Sequence, residues 1–225
     1  MADLGSGAFA KLLQYRSAES IDAVVVSHMH ADHFLDVIPM RYALKYGRRS
    51  NGRRVALYLP PGGEEMLRRL TEAFTPESQH DFIGEVFDVR TYEPGRTLRV
   101  GELEFRFAPT SHYIPTFALR CDGCGGSLAY SADTAPDERV AELAQAVDAF
   151  VCEATLRCEE EAEMPRGHSS AREAAAMATR AAAGRLVLSH YPATIEPAEL
   201  EREARAAFAG PVSVADDGFR LTLGG

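Results

Sequence analysis

Short apolar runs alternate with stretches of helical periodicity along most of the chain. The runs are rich in Val, Ile, Leu, Phe and Tyr, which is the composition of strands. They cover residues 21–27, 55–60, 103–109, 116–121, 127–133, 147–154, 185–190 and 211–215. Between them, apolar residues recur at helical spacing in residues 34–46, 63–74, 136–146, 170–183 and 197–208. Because strands and helices interleave, the pattern predicts an α/β protein whose sheet is covered by helices.

Residues with metal-binding or catalytic side chains cluster where these apolar runs end. Several lie in the segment HMHADH after the first run, and the others follow or end later runs. In chain order they are His28, His30, Asp32, His33, His112, Asp133, Glu153 and His190. Ligands of α/β proteins bind outside the carboxyl ends of strands. We therefore expect these side chains to converge on one rim of the sheet.

The segment HMHADH is the strongest chemical signal in the sequence. It holds three of the seven histidines of the chain. A single histidine at a strand end is as often structural as functional, but the whole arrangement is rare by chance. His28 and His30, two apart on extended chain, point to the same side. Imidazole and carboxylate ligands suit Zn²⁺, or alternatively Mn²⁺ or Fe²⁺, and so many ligands fit two ions better than one.

The order and context of these motifs resemble the metallo-β-lactamase superfamily, from DLGSG at residues 3–7 to the C-terminus. HMHADH, His112, SADT with Asp133 and LSH with His190 carry the resemblance. CEAT (152–155) and GHSS (167–170) are similar to the RNase Z branch. The resemblance implies an αββα sandwich in which residues 1–225 form one domain. Family members usually have two strands before DLGSG, so we expect the first N-terminal strands to be missing or trimmed.

Carried over residue by residue, the resemblance implies two ions, Zn²⁺ being the usual metal of the family. One ion is assigned His28, His30 and His112; the other is assigned Asp32, His33 and His190; and Asp133 bridges them. Two divalent ions activate water near neutral pH for attack on phosphorus or a carbonyl. Asp32 is expected to orient that water or to accept its proton.

His168 is the candidate acid that protonates the leaving oxygen. Ser170 and Glu173 have the spacing of a capping box, which predicts a helix start directly after His168. Glu153 is expected to hold the imidazole in its protonated form. A general acid matters most for a poor alkoxide leaving group, and this favours a phosphodiester substrate.

The sequence therefore predicts a dinuclear metal-dependent phosphodiesterase of the RNase Z type, acting on a nucleotide or an RNA 3′ end. The alternatives are a cyclic-nucleotide phosphodiesterase, a lactonase or thioesterase on the same fold, and a non-catalytic metal-binding protein. The last would predict lost ligands, whereas all seven are present. A redox di-iron role is disfavoured because those relatives replace the second histidine with Glu, and this chain keeps His30.

Several features argue against binding of a whole tRNA. Only 20 residues separate His112 from Asp133, where long-arm RNase Z proteins insert a helical exosite. The net charge is −9, and residues 159–163 hold four glutamates, whereas tRNA binding depends on Lys and Arg contacts with phosphates. The basic segment 41–54 is better interpreted as a solvated helix face and loop than as a phosphate-binding patch.

Other features bound the protein class. Cys121 and Cys124 have CxxC spacing, but without a second such pair they indicate two strands joined by a Gly-rich turn rather than a zinc ribbon. No stretch reaches the roughly 18 to 20 apolar residues of a membrane span, and the N-terminus lacks the basic region of a signal peptide. We expect a cytoplasmic protein without a membrane partner. The early start of DLGSG predicts an unprotected strand edge, and hence lower stability or a homodimer that covers it.

Overall fold

The computed structural model describes residues 1–47, 53–75, 81–123, 125–158, 160 and 165–223. The chain divides into two compact units, Met1–Glu93 and Pro94–Gly225. The alternation of strands and helices predicted from the sequence holds in both units.

The first unit is built on a three-stranded parallel sheet in the order β1-β2-β3. Its strands are β1 (Ala23–Val25), β2 (Val55–Leu59) and β3 (Phe87–Thr91). Every residue of β1 is buried, as continuous apolar runs in parallel sheets usually are. β2 lies between the other two strands, with Ala23 opposite Ala56 and Val55 opposite Phe87.

The helices of this unit are α1 (Ala8–Leu12), α2 (Ala31–Phe34), α3 (Val37–Tyr46) and α4 (Gly63–Glu72). The single helix predicted over residues 34–46 is thus interrupted before α3. The interruption lies at Asp36, whose backbone N–H donates to the Leu4 carbonyl at 3.0 Å and whose carboxylate accepts the Phe9 N–H at 2.9 Å. These bonds tie Asp36 to the N-terminal segment, so the helix restarts after it.

The free edge of β1 is bordered by the first residues of the chain. Ala2 pairs with Val25 in parallel. The Met1 amino group donates to Ala23 O at 3.0 Å, and the N–H of Asp3 donates to Val25 O at 2.9 Å. The edge that the sequence predicted to be unprotected is therefore partly paired within the chain.

The second unit contains a seven-stranded mixed sheet in the order β10-β9-β8-β7-β6-β5-β4. The strands are β4 (Leu98–Val100), β5 (Leu103–Pro109), β6 (Phe117–Gly123), β7 (Gly126–Tyr130), β8 (Ala149–Glu153), β9 (Leu186–Ser189) and β10 (Val212–Val214). Neighbouring strands are antiparallel from β4 to β7 and parallel from β7 to β10. The hairpin predicted around Cys121 is β6 and β7, with Gly123 opposite Gly126; Cys124 lies outside the described residues.

The described residues of this unit also form three helices: α5 (Glu138–Leu143), α6 (Ala171–Arg180) and α7 (Pro197–Arg205). α6 buries a row of alanines, and small side chains allow a helix to pack closely on its neighbours. The predicted capping box is present at its start. Ser170 Oγ accepts the Glu173 N–H at 3.2 Å, and the Glu173 carboxylate accepts the Ser170 N–H at 3.1 Å.

The sequence pattern missed two strands, β3 and β4. Both are at an edge of their sheet. β3 has the sequence FDVRT and β4 the sequence LRV, and both are partly exposed. Edge strands carry charged side chains because one side of the strand is unpaired, so the alternation of apolar residues is weak in both.

The basic segment 41–54 is not simply a solvated surface. Arg41 is completely buried, with its guanidinium 4.0 Å from the Phe82 ring centroid and paired with Glu85. Arg53 pairs with Asp22 at 2.9 Å. Arg41 therefore contradicts the interpretation of the whole segment as a solvated face; residues 48–52 lie outside the described part, as do most of residues 159–163.

No helix within the described ranges is both long and apolar enough to cross a membrane.

Candidate metal centre

In the first unit, the segment after β1 brings two imidazoles together. His28 is completely buried, and its Nε2 lies 3.1 Å from Nδ1 of His30. Two nitrogens that bind one tetrahedral Zn²⁺ at 2.0–2.1 Å lie roughly 3.4 Å apart. The spacing of the His28 and His30 nitrogens therefore fits two ligands of a common ion.

The Asp3 carboxylate holds this segment from the N-terminal side. It accepts the Ser27 N–H at 2.7 Å and the Ser27 hydroxyl at 2.8 Å, and it lies 2.8 Å from His33 Nδ1. Because an ionised carboxylate only accepts hydrogen bonds, His33 Nδ1 carries the proton. The other ring nitrogen, Nε2, lies 3.7 Å from Asp32 Oδ2.

α2 displays Asp32 and His33 in different environments. The Asp32 side chain is 62% exposed and the His33 side chain 3% exposed. Tyr92 supports the preceding turn by donating its hydroxyl to Val26 O at 3.0 Å. Burial, aided by the Asp3 charge, raises the pKa of the Tyr92 hydroxyl, which therefore remains a proton donor.

In the second unit, His112 follows β5 and is oriented by backbone. Its Nδ1 lies 2.8 Å from the Gly167 carbonyl oxygen, and a carbonyl only accepts, so Nδ1 carries the proton. The lone pair is then on Nε2, which lies 3.7 Å from Asp133 Oδ2. A neutral imidazole held through its second nitrogen is the usual arrangement of a metal-binding histidine. Gly167 permits this approach, because a Cβ there would lie 2.8 Å from His112 Nδ1.

His190 follows β9 in the left-handed region, with φ of 51°. Thr155 contacts it twice: the hydroxyl donates to the His190 carbonyl at 2.8 Å and lies 3.0 Å from the ring Nδ1. The same ring nitrogen lies 3.6 Å from Asp133 Oδ1. Asp133, His168 and His190 each offer a nitrogen or oxygen atom, and these atoms lie within 4.8 Å of one another.

Glu153 and His168 form a pair beside this group. Glu153 ends β8, is completely buried, and its Oε1 lies 3.0 Å from His168 Nδ1. The backbone N–H groups of Thr134 and Thr155 donate to the same carboxylate at 2.6 Å and 3.2 Å. The carboxylate is thus fixed, and it fixes the imidazole in turn.

The imidazole of His168 lies between two other rings. Its centroid is 5.0 Å from that of His112 and 5.9 Å from that of His190. Its side chain is 19% exposed, so it remains accessible. The chain after it enters α6 at Ser170, and this rigid start fixes the position of His168.

The groups of possible metal ligands among the described residues contain no cysteine. Burial, with a further contribution from the Glu153 charge, raises the pKa of the Cys152 thiol, and burial also raises that of Cys121. A thiol with a raised pKa is a poor metal ligand because binding requires the thiolate. The donors in both units are therefore nitrogen and carboxylate oxygen, which fit borderline divalent ions such as Zn²⁺.

Sequence reasoning missed three residues that orient the predicted ligands: Asp3, Thr155 and Gly167. Asp3 and Gly167 lie in motifs that were noted only as family features, DLGSG and GHSS. Thr155 is the last residue of CEAT. A threonine or glycine beside a ligand has no recognisable chemistry of its own, so only its contacts identify it.

Residues 4–191 match the profile of the β-lactamase superfamily domain. The chain belongs to the β-lactamase superfamily. The probable metallo-hydrolase YhfI of Bacillus subtilis is 28% identical over 228 residues, covering 97% of this chain and 86% of YhfI. A ribonuclease Z of Myxococcus xanthus is 29% identical over 270 residues, covering 98% of this chain and 87% of the enzyme.

Solved structures give the same result for the fold. The crystal structure of YhfI, a metallo-β-lactamase fold protein, superposes with a TM-score of 0.86 at 26% identity and covers 97% of this chain and 85% of YhfI. The short form of human tRNase Z superposes with a TM-score of 0.74 at 19% identity, covering 99% and 87% of the two chains. These matches confirm the predicted fold and family, and the chain is a metallo-hydrolase of this superfamily.

Proposed function

We propose that this protein is a dinuclear metal-dependent phosphodiesterase of the RNase Z type that acts on a nucleotide or an RNA 3′ end. The observation that carries the proposal is the contact of His168 Nδ1 with the buried Glu153 carboxylate at 3.0 Å. A hydrolase that releases an alkoxide needs a general acid that protonates the leaving oxygen. A lactonase or thioesterase needs the metal ligands but not such an acid.

The metal ligands of the proposal are the seven predicted from the sequence. They are His28, His30, Asp32, His33, His112, Asp133 and His190. The donors in each unit are imidazole nitrogens and carboxylate oxygens, and Asp3 and the Gly167 carbonyl fix two tautomers. When bound, a pair of divalent ions, Zn²⁺ by preference, supplies Lewis acidity that polarises the phosphoryl oxygens and activates water near neutral pH.

The role of His168 is to donate a proton to the leaving oxygen. Its Nδ1–H donates to Glu153, so the donor to the substrate is Nε2–H of the imidazolium. The nearby Glu153 carboxylate stabilises that cation electrostatically. After the bond to phosphorus breaks, His168 is neutral and the leaving group departs as an alcohol.

Asp32 is the candidate for positioning the attacking water. Its carboxylate is 62% exposed, at the start of α2 beside His33. Besides its proposed role as a ligand, this exposed carboxylate is suited to accept a hydrogen bond or a proton from water.

The substrate we propose is small or is an RNA end. The segment between His112 and Asp133 contains the β6–β7 hairpin and no helix in its described residues. The net charge of −9 disfavours an extended polyanion. Both features favour a nucleotide or a short single-stranded end over a whole tRNA.

The function is tested with zinc-loaded protein and two classes of substrate. The phosphodiesters are bis(p-nitrophenyl) phosphate, cyclic AMP, a dinucleotide and a 3′-extended tRNA; the carbon esters are a lactone and a thioester. We expect turnover of at least one phosphodiester. Hydrolysis of the lactone or thioester without any phosphodiester would contradict the proposal, and a preference for cyclic AMP would specify it further.

The His168→Ala variant tests the acid. For a dinucleotide, whose leaving group is a poor alkoxide, kcat should fall by about 10²–10⁴-fold. For bis(p-nitrophenyl) phosphate, whose phenolate leaves without a proton, the fall should be much smaller. The zinc content of the variant should equal that of the parent. Equal losses with both substrates would show that His168 is not the acid.

A further inference from the structure

Tyr113 presents an aromatic ring next to the proposed acid. Its side chain is 58% exposed, more than any other large apolar side chain of the second unit among the described residues. The ring centroid lies 5.0 Å from that of His112 and 5.9 Å from that of His168. Burying an exposed aromatic ring against an apolar surface is favourable because it removes apolar area from water. The Tyr113 ring beside His168 is therefore available to bind an apolar group.

The ring rests on a glycine. A Cβ built on Gly167 would lie 2.9 Å from Tyr113 Cε2 and 3.0 Å from Cδ2. The ring therefore packs against the backbone at Gly167, and its edge meets His168 at an interplanar angle of 65°. One flank is fixed by these contacts while most of the side chain remains accessible.

The loop that carries Tyr113 is held at both ends. The Thr110 N–H donates to Thr116 O at 3.0 Å, and the Ala135 N–H donates to Ser111 O at 2.8 Å. The Thr116 hydroxyl donates to Ile114 O at 2.9 Å. Because the loop is braced, a ligand that contacts the ring has little ordering entropy to overcome.

We propose that Tyr113 is a substrate-binding residue that stacks on the nucleobase of a nucleoside phosphodiester whose phosphate is at His168. The inference rests on the proposed function and narrows it to substrates that carry a base next to the scissile phosphate. Every nucleobase has a π-face, so one aromatic ring provides base binding without sequence specificity. The proposal assigns the contact with the base to the aromatic ring and not to the phenol hydroxyl.

The test compares two esters that share one leaving group. Thymidine 5′-(p-nitrophenyl phosphate) carries a base, and methyl p-nitrophenyl phosphate carries none. The variants are Tyr113→Leu, which removes the aromatic ring, and Tyr113→Phe, which keeps it. Tyr15→Leu is the matched control, because Tyr15 is 48% exposed.

We expect Tyr113→Leu to lower kcat/KM for the thymidine ester by roughly 5- to 150-fold, the range for loss of one base–aromatic stack. Most of this loss should be in KM. The methyl ester should change by less than about twofold, since it has no base to lose. Tyr113→Phe and Tyr15→Leu should behave as the parent with both esters.

A second readout does not depend on turnover. Calorimetric titration of zinc-loaded protein with AMP should give a weaker Kd for Tyr113→Leu than for Tyr113→Phe, whereas ribose 5-phosphate should bind both variants equally. Equal effects of Tyr113→Leu on both esters, or equal Kd values for AMP, would overturn the inference. Failure of the parent to cleave any phosphodiester while AMP binding still requires Tyr113 would reject the proposed function and keep the base site.

Discussion

The Thr155 hydroxyl contacts both the carbonyl oxygen and the imidazole ring of His190. The two bonds hold His190 in a left-handed conformation with φ of 51°, which is unfavourable for a residue with a side chain. Thr155 thus sets the direction of a proposed metal ligand without being a ligand itself. Glu153, two residues earlier, holds His168, so one short segment orients both the proposed ligand His190 and the proposed acid His168.

Thr155→Val should weaken zinc binding. Valine keeps the shape of threonine but removes both hydrogen bonds to His190. We expect the affinity for one of the two proposed ions to fall by about 10- to 100-fold, which is usual for loss of a group that orients a ligand. Titration in zinc buffers with metal analysis measures this.

Thr179→Val is the control for that change. Its hydroxyl donates to Ala207 O at 2.7 Å in the last turn of α6. In the metal-free proteins, Thr155→Val loses two hydrogen bonds and Thr179→Val loses one, each worth about 1 kcal/mol of unfolding free energy. Equal zinc affinity in the two variants would show that Thr155 does not orient His190.

At the scale of elements, α2 depends on a close approach to the N-terminal segment. A Cβ at Gly5 would lie 1.6 Å from the Asp32 carbonyl oxygen, and the Leu4 N–H donates to His33 O at 2.7 Å. The helix that carries Asp32 and His33 is therefore packed directly against the DLGSG segment. The glycine of that motif is explained by this contact.

Gly5→Ala should move α2 and so disturb Asp32 and His33. Overpacking of this kind costs about 1–3 kcal/mol of unfolding free energy, and zinc binding should weaken as well. Urea unfolding of the metal-free protein and zinc titration measure the two effects. Gly95→Ala is the matched control, because a Cβ there meets no heavy atom within 4 Å; its unfolding free energy should change by less than about 0.5 kcal/mol. Parent-like zinc binding by Gly5→Ala would contradict the role given to this contact.

The elements themselves were largely predictable. All eight apolar runs became strands, because continuous or alternating apolar residues bury well in a sheet. β3 and β4 were missed because, as edge strands, they carry charges that weaken the pattern. The interruption before α3 was missed because Asp36 bonds to Leu4 and Phe9, and such contacts between distant residues leave no periodic signal.

At the scale of the whole molecule, bound ions should stabilise the fold. A ligand that binds only the folded state at about 1,000 times its Kd adds about 4 kcal/mol. For a chain of this size, that corresponds to a rise in Tm of roughly 8–16 °C. Thermal melting with and without a chelator measures the difference.

Substitution of proposed ligands provides the control. His28→Ala in the first unit and His112→Ala in the second should each lose most of the zinc-dependent rise in Tm and bind fewer than two equivalents of zinc. Each rise is measured against the metal-free form of the same variant, because loss of a buried imidazole also lowers the Tm of the metal-free protein. A full rise that survives in either variant would remove that histidine from the ligand set.

The class of fold and a set of candidate metal-binding side chains could be predicted from the sequence alone. Histidine and aspartate at strand ends are recognisable because the residue types carry the metal chemistry, and the alternation of strands and helices follows from hydrophobic periodicity. Tertiary structure decided how those groups are held. The bond from His112 to Gly167 spans 55 positions and that from His33 to Asp3 spans 30. No local pattern encodes such contacts, so the tautomers, the Thr155 support and the exposed ring of Tyr113 are visible only once the chain is folded.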